Sequence, residues 1–168
     1  MGKLFSHHRF PGPGEIPAKR NYELKKCFRY AHKNNLAFKP PMQFPFNPLA
    51  IIRLATKHAS QMRQAEIISF IYKLVWAQGY VLDDPDVVQN LLKEHGFEEA
   101  MFERSFAREA KIELKQNINE AIESNIFGVP TFSLDNDFFW GNDSMEDLTN
   151  YLTDHDNWDK ELYNKLKT

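Results

Sequence analysis

Residues that favour β-strands are confined to one short stretch of this sequence. Residues 131–134 and 138–140 are rich in aromatic and β-branched side chains and flank a polar turn at residues 135–137, which predicts one β-hairpin. Elsewhere apolar residues recur at helical spacing, which predicts helices over residues 15–34, 48–60, 61–77, 84–94, 98–104, 106–125, 143–152 and 157–168. A lone two-stranded hairpin is marginally stable in water, so this one must be covered by helices or paired with another strand.

Local signals predict several helix ends and one buried helix face. Asp84 followed by Pro85 is typical of a helix start. Gly128 is expected to end the helix over residues 106–125 in the left-handed conformation. The thiol of Cys27 is expected to be buried and structural, because it belongs to an apolar stripe of the first long helix formed by Leu24, Cys27, Phe28 and Ala31.

The size and charge of the chain exclude several classes of protein. Its 168 residues, 42% of them hydrophobic, are expected to form a single domain over residues 1–168. With 21 basic and 23 acidic residues, the net charge is -2, so the chain lacks the basic surplus of a nucleic-acid-binding protein. No apolar run approaches the ~20 residues of a membrane helix, and no signal-peptide core follows the first residues. We therefore expect a soluble cytoplasmic protein that binds neither nucleic acid nor membrane.

The cysteine and histidine content limits the chemistry further. Cys27 is the only cysteine, which excludes an intramolecular disulfide, a CxxC redox pair and a cysteine-built zinc site. Dithiol oxidoreductase chemistry is thereby excluded. The six histidines lack the helical pairing typical of metal ligands, so no metal site is predicted.

Two motifs near the C-terminus carry a resemblance to a known family. The sequence FGVPTF at residues 127–132 stands between a predicted helix and a strand, and FFWGND follows at residues 138–143. Together they resemble the C-terminal half of the thioredoxin superfamily, in its DsbA-like, glutathione-dependent branch. The chain is similar there to kappa-class glutathione transferases and 2-hydroxychromene-2-carboxylate isomerases. The segments at residues 13–20 and 44–49 also resemble the isomerases.

The resemblance implies how the chain is organised. The expected fold is α/β and thioredoxin-like, mostly helical, with a helical insertion over about residues 15–96 and the C-terminal thioredoxin half at residues 106–152. Family members carry a strand, a helix and a second strand before the region that corresponds to Met1. The sequence is therefore expected to be N-terminally short by about 30–40 residues, with the first βαβ segment largely missing. The nucleophile position, a serine or cysteine, would lie upstream of Met1.

The resemblance also implies an activity, with glutathione as the cofactor. In this family type, the glutathione thiolate adds to the conjugated system of a small aromatic carboxylate and allows rotation about a former double bond. Weak or absent isomerase activity is expected here, because the segment that activates the thiol is not identifiable. One alternative is a kappa-class-like glutathione transferase. Another is a non-catalytic interaction module that forms a homodimer through its sheet edges.

By resemblance, the Val129–Pro130 peptide bond is expected to be cis, and Val129 to offer its backbone to a peptide ligand. The N–H and C=O of Val129 would then pair with the glutathione backbone like an added strand. The alternative is an ordinary trans proline at the start of a strand, where no donor is needed.

Four residues at the end of the second strand and directly after it complete the expected glutathione site. Asn142 and Asp143 suit the zwitterionic γ-glutamyl end of glutathione, since free N–H groups bind a carboxylate and Asp143 can bind an ammonium. The alternative is helix capping, because Asp143 and Glu146 form a capping-box-like pattern. Trp140 is a ligand contact or, more commonly for this residue type, core packing, and Gly141 permits close backbone approach.

Three further residues are candidates for substrate binding. By resemblance, Asn47 makes a polar contact in the aromatic-carboxylate pocket, although its position between prolines at a helix entry equally predicts an N-cap. Lys3 and Lys19 could neutralise a substrate carboxylate, and the alternative for each is a solvated surface charge.

Overall fold

The computed structural model of the protein describes residues 2–12, 14–135 and 137–166. The first half contains α1 (Gly2–His8), α2 (Pro17–Lys33), α3 (Leu49–Leu54), α4 (Lys57–Ser60) and α5 (Gln64–Tyr72). The second half contains α6 (Pro85–Glu94), α7 (Glu99–Phe106), α8 (Arg108–Glu123), β1 (Thr131–Leu134), β2 (Asp137–Trp140), α9 (Met145–Leu152) and α10 (Lys160–Leu166). No helix among the described residues is long and apolar enough to span a bilayer. Pro13 and Asn136, which belong to segments discussed above, lie outside the described residues.

The predicted hairpin is confirmed and forms the sheet. β1 and β2 are antiparallel, with Phe132 opposite Phe139 and Leu134 opposite Asp137. In the described residues the sheet has these 2 strands alone, so the fold is α/β with helix dominating, as predicted. Phe139 is buried and packs against Tyr151 of α9, with 5.4 Å between the ring centroids. The hairpin is thus covered on one face.

The main hydrophobic core lies among helices α3 to α7 rather than under the hairpin. Leu54 and Ile67 are fully buried there, and Met101 is 1% exposed. The other members of this core cluster are Ile51, Leu74, Val75, Leu82, Val88, Leu91, Leu92 and Phe97. Burial of such side chains contributes about 1.5–3 kcal/mol each. Most of the stability of the chain therefore resides in the helical body.

Capping side chains determine where the core helices begin. The Asp84 side chain accepts the Asp86 N–H at 2.9 Å, which confirms the predicted start of α6. The predicted helix over residues 48–60 is in fact two helices. Thr56 interrupts it, because its side chain accepts the Ala59 N–H and caps α4.

The prediction that Gly128 ends α8 in the left-handed conformation is wrong. Asn125 occupies that conformation with φ 56°. The Asn125 N–H donates to the Ile122 C=O at 3.0 Å, and the Ile126 N–H donates to the Ala121 C=O at 2.9 Å. This pattern is a Schellman motif, which asparagine supports nearly as well as glycine.

The prediction of a buried apolar stripe on α2 is also wrong. Leu24 and Phe28 are 40% and 49% exposed, and Cys27 is exposed, whereas Ala31 is buried. Helical spacing places these side chains on one face but does not provide another element to cover it. Phe28 nevertheless contacts Phe38, with ring centroids 5.0 Å apart.

The first residues form a helix that the sequence patterns did not predict. Leu4 of α1 is buried, and α1 packs against α8. The imidazole Nε2 of His8 lies 3.1 Å from the Ile126 C=O. α1 therefore holds the chain just before the FGVPTF motif.

Candidate functional site

The end of the hairpin brings the two sequence motifs together. The Gly141 N–H donates to the Pro130 C=O at 2.9 Å, one residue beyond the last strand pair, Thr131 and Trp140. Val129 and Pro130 therefore lie beside residues 141–143. We call the group the hairpin-end site; it consists of Val129, Pro130, Trp140, Gly141, Asn142 and Asp143.

Val129 presents its backbone to solvent at this site. The Val129–Pro130 peptide bond is cis, as predicted. Val129 is 60% exposed, and neither its N–H nor its C=O is hydrogen-bonded to any other described residue. A peptide-like ligand can therefore reach both groups without displacing a bond of the protein.

Gly141 makes the turn from β2 into the residues that follow. Its φ is 88°, a conformation that side-chain-bearing residues rarely adopt. A Cβ at this position would also meet the carboxylate of Asp143. The Ser144 hydroxyl donates to the Gly141 C=O at 2.9 Å and holds the turn. The positive φ therefore calls for glycine at 141, whereas the exposed carboxylate of Asp143 has room to move away from a Cβ.

Trp140 is not a core residue, although that was the more common expectation for its type. Its side chain is 52% exposed. The indole packs edge-on against Phe127, with ring centroids 5.1 Å apart, and lies directly over Gly128. Gly128 thus serves for close approach of the indole rather than for helix termination.

The capping interpretation of Asp143 is wrong. Residues Asn142–Ser144 form a 3₁₀ turn, and no side chain caps the start of α9 at Ser144. Asp143 instead points toward α2, where its Oδ2 lies 3.8 Å from Lys26 Nζ. The Tyr30 hydroxyl donates to Asn142 Oδ1 at 3.5 Å. All these side chains are exposed, so the ion pair contributes at most about 1 kcal/mol.

Lys26 and Tyr30 are neighbours of this site that no sequence pattern predicted. They are four residues apart and therefore share one face of α2. That spacing was visible, but their partners are more than a hundred residues away along the chain. No local pattern indicates such a contact.

The three predicted substrate-binding residues do not join the hairpin-end site. Asn47 Oδ1 accepts the Leu49 N–H at 3.2 Å just before α3, but the N-cap residue of this helix is Pro48, so the N-cap interpretation of Asn47 is wrong. Lys3 and Lys19 are exposed on α1 and on the first turn of α2. Within the described residues, no contact joins any of the three to residues 141–143. Lys19 precedes Lys26 by seven residues on the same helical face, about 10 Å along the axis.

Two concave surfaces lie elsewhere in the described part of the chain. Two shallow cavities, of 430 and 540 Å³, lie between the hairpin turn, α9 and residues 154–160. The Tyr151 hydroxyl donates to Asp135 Oδ2 at 3.2 Å beside the second cavity. Burial, followed by this hydrogen bond, raises the pKa of Tyr151. The described residues contain no cluster of three or more potential metal ligands. At the hairpin-end site, by contrast, exposed backbone groups and a carboxylate lie together.

The sequence profile of the DSBA-like thioredoxin domain matches residues 5–153. A solved structure of a 2-hydroxychromene-2-carboxylate isomerase superimposes with a TM-score of 0.73 at 21% identity, covering 86% of this chain and 70% of that one. At this identity the likeness establishes the fold.

Curated relatives carry the same enzyme name. The 2-hydroxychromene-2-carboxylate isomerase of Sphingobium xenophagum is 24% identical over 155 residues, which are 90% of this chain and 77% of that protein. The Pseudomonas putida isomerase is 26% identical over 87 residues, 51% of this chain and 43% of that protein. The isomerase of Pseudomonas sp. strain C18 is 29% identical over 84 residues. The matched segments thus span less than half of both Pseudomonas proteins.

Proposed function

Because this chain belongs to the DSBA-like thioredoxin domain family, we propose that it binds glutathione at the hairpin-end site. We further propose that it is a glutathione-dependent isomerase-like protein of the 2-hydroxychromene-2-carboxylate type. The names of its curated relatives support this reaction class. The chemistry of the residues at the hairpin-end site supports glutathione as the ligand.

One observation carries the proposal: the free backbone of Val129 lies at the same end of the hairpin as the exposed side chains of Asn142 and Asp143, which contact α2 only over 3.5 and 3.8 Å. The N–H and C=O of Val129 are free among the described residues and reach the same end of the hairpin as Asp143. Glutathione has complementary chemistry, with a peptide backbone at its cysteine and an ammonium at its γ-glutamyl end. Val129 would pair with the former like an added strand, and Asp143 would accept a charge-assisted hydrogen bond from the latter.

The neighbouring residues would orient the ligand. Asn142 offers a side-chain amide to the γ-glutamyl carboxylate, and Trp140 provides an exposed apolar wall. Lys26 is exposed and can leave Asp143 at little cost when an ammonium arrives.

Bound glutathione would supply the thiol nucleophile for a conjugated aromatic carboxylate. We assign no residue to lower the pKa of that thiol, so turnover by these 168 residues is expected to be slow. Lys3 and Lys19 remain predictions for contact with the substrate carboxylate, and Asn47 remains a prediction for a polar contact in the aromatic-carboxylate pocket.

Calorimetric titration with glutathione tests the binding site. Asp143→Asn removes the charge while keeping the size, and we expect about tenfold weaker binding. Asp147→Asn is the matched control, because Asp147 is also exposed near the start of α9 but does not contact the site. Equal affinities for the two variants, or no glutathione binding by the parent chain, would contradict the proposal.

Turnover tests the reaction class separately. Loss of 2-hydroxychromene-2-carboxylate that depends on added glutathione supports the isomerase assignment. Conjugation of glutathione to a generic aryl chloride without isomerisation would instead favour a kappa-class-like transferase.

A further inference from the structure

One face of α2 carries a row of basic side chains. Lys19, Tyr22, Lys26, Arg29 and Lys33 follow one another at intervals of three and four residues, which places them on a single face of the helix. All five residues are exposed. We call the four cations the α2 basic stripe; it consists of Lys19, Lys26, Arg29 and Lys33 and extends roughly 21 Å along the helix axis.

Most of the charge on this stripe is not neutralised by direct contacts. α2 has six basic residues and one acidic residue, Glu23, although the whole chain has a net charge of -2. Among the described residues, Lys26 is the only member of the stripe that forms an ion pair, with Asp143. Arg29 and Lys33 follow Glu23 by six and ten residues, so at least one helical turn separates each of them from it. The end of α2 that holds Arg29 and Lys33 is therefore electropositive.

The stripe passes directly beside the hairpin-end site. Lys26 Nζ lies 3.8 Å from Asp143 Oδ2. Arg29 is about 4.5 Å farther along the helix axis than Lys26, and Lys33 is about 10 Å farther. The Debye length is about 8 Å at physiological salt and about 30 Å at 0.01 M. At low salt, both charges therefore act on a ligand at the hairpin-end site without contacting it.

The chain that follows the hairpin-end site is acidic. Glu146 and Asp147 are exposed in the first turn of α9, directly after Asp143 and Ser144. The site therefore lies at the boundary between a basic helix face and an acidic helix start. A ligand with an ammonium at Asp143 and an excess of carboxylates elsewhere fits this polarity. Glutathione is such a ligand, because its two carboxylates outnumber its single ammonium at neutral pH.

We propose that the α2 basic stripe selects ligands of the hairpin-end site by their negative charge, with Arg29 and Lys33 as positioning residues that do not contact the ligand. The two cations attract an anion to the site and draw its carboxylates toward α2. A ligand without net charge gains no affinity from them. The inference rests on the proposed function, because it takes glutathione as the ligand, and it adds the residues that discriminate between charged and uncharged forms.

Calorimetric titration of the 168-residue protein with glutathione at two salt concentrations tests the selection. Arg29→Gln combined with Lys33→Gln is expected to weaken binding about threefold at about 0.01 M salt and hardly at all at about 0.5 M, where the charges are screened. Lys111→Gln combined with Lys115→Gln is the matched control, because both lysines are exposed on α8, which packs against α1, α3, α4 and α7. The control is expected to bind glutathione as the parent does at both salt concentrations.

The glycyl monoethyl ester of glutathione separates attraction from distortion of the site. The ester has no net charge at neutral pH, so the parent and the Arg29→Gln, Lys33→Gln variant are expected to bind it equally well at low salt. A distorted site would lose affinity for the ester and for glutathione alike, at both salt concentrations. That result, or an unchanged affinity of the variant for glutathione at low salt, would overturn this inference alone. A parent chain that does not bind glutathione would overturn the proposed function and this inference with it.

Discussion

At the scale of single residues, the hairpin-end site depends on glycines that leave room for their neighbours. Gly128 accommodates the indole of Trp140, and Gly141 adopts the positive φ that brings residues 142 and 143 beside Pro130. Both glycines are needed for space or backbone conformation, and neither contributes a polar side chain to the site. Both show that the position of a functional group is determined by the small residues around it.

Gly128→Ala is expected to displace the indole of Trp140 and to destabilise the protein by about 1–3 kcal/mol, since a Cβ has no space there. Urea denaturation measures the loss, and tryptophan fluorescence reports the displacement. Gly14→Ala is the control, because a Cβ at Gly14 meets no atom within 4 Å. Equal destabilisation by both substitutions would contradict the prediction.

A second residue-scale prediction concerns pH. Arg63 donates to both carboxylate oxygens of Glu66, at 2.7 and 2.6 Å, and this contact lowers the pKa of Glu66. A lowered folded-state pKa contributes stability above the unfolded pKa, and that stability is lost as the pH falls through the folded value. Glu66→Gln should therefore be less stable than the parent at neutral pH and nearly equal to it in acid.

Urea denaturation at the two pH values measures this difference. Glu120→Gln serves as the control, because Glu120 is exposed on α8 and forms no ion pair within the described residues. If Glu66→Gln lowers the free energy of unfolding by the same amount at both pH values, the charge of the Glu66 carboxylate is not the cause of the lost stability.

At the scale of secondary-structure elements, capping residues determine where helices begin. Whether the apolar face of a helix is buried depends on the elements that pack against it. Asp84 and Thr56 each satisfy a free N–H at a helix start. α2 shows this dependence on neighbouring elements, because its apolar stripe has regular helical spacing and is nevertheless largely exposed. Its Lys26 and Tyr30 instead make the polar contacts with the hairpin-end site.

Asp84→Ala is expected to destabilise the protein by about 1 kcal/mol, because it removes the cap of α6. Asp83→Ala is the matched control, since Asp83 is exposed and does not cap the helix. The midpoint of urea denaturation measures both. If Asp83→Ala destabilises the protein as much as Asp84→Ala does, the loss of stability comes from removing a negative charge rather than from removing the cap.

At the scale of the whole molecule, the hairpin-end site joins two distant parts of the chain. Lys26 and Tyr30 of α2 contact Asp143 and Asn142, which follow β2. The hydrophobic core among α3 to α7 does not include these residues. The site is therefore formed at the surface by contacts between distant segments rather than by core packing.

Local features of this protein were predictable because they depend on residues close together in the sequence. The hairpin follows from two short apolar runs around a polar turn, and α6 follows from Asp84 before Pro85. The meeting of Val129 with Asp143 is local in the same sense, because a hairpin necessarily brings its two ends together.

Features that join distant segments were decided by the tertiary structure. The exposure of Cys27, the packing of α1 against α8 and the contact of Lys26 with Asp143 depend on which helix covers which surface. Periodicity and capping act over a few residues, whereas burial depends on every other element that packs nearby. For that reason the sequence by itself determined the hairpin and the meeting of its two ends, and only the packed chain determined what surrounds them.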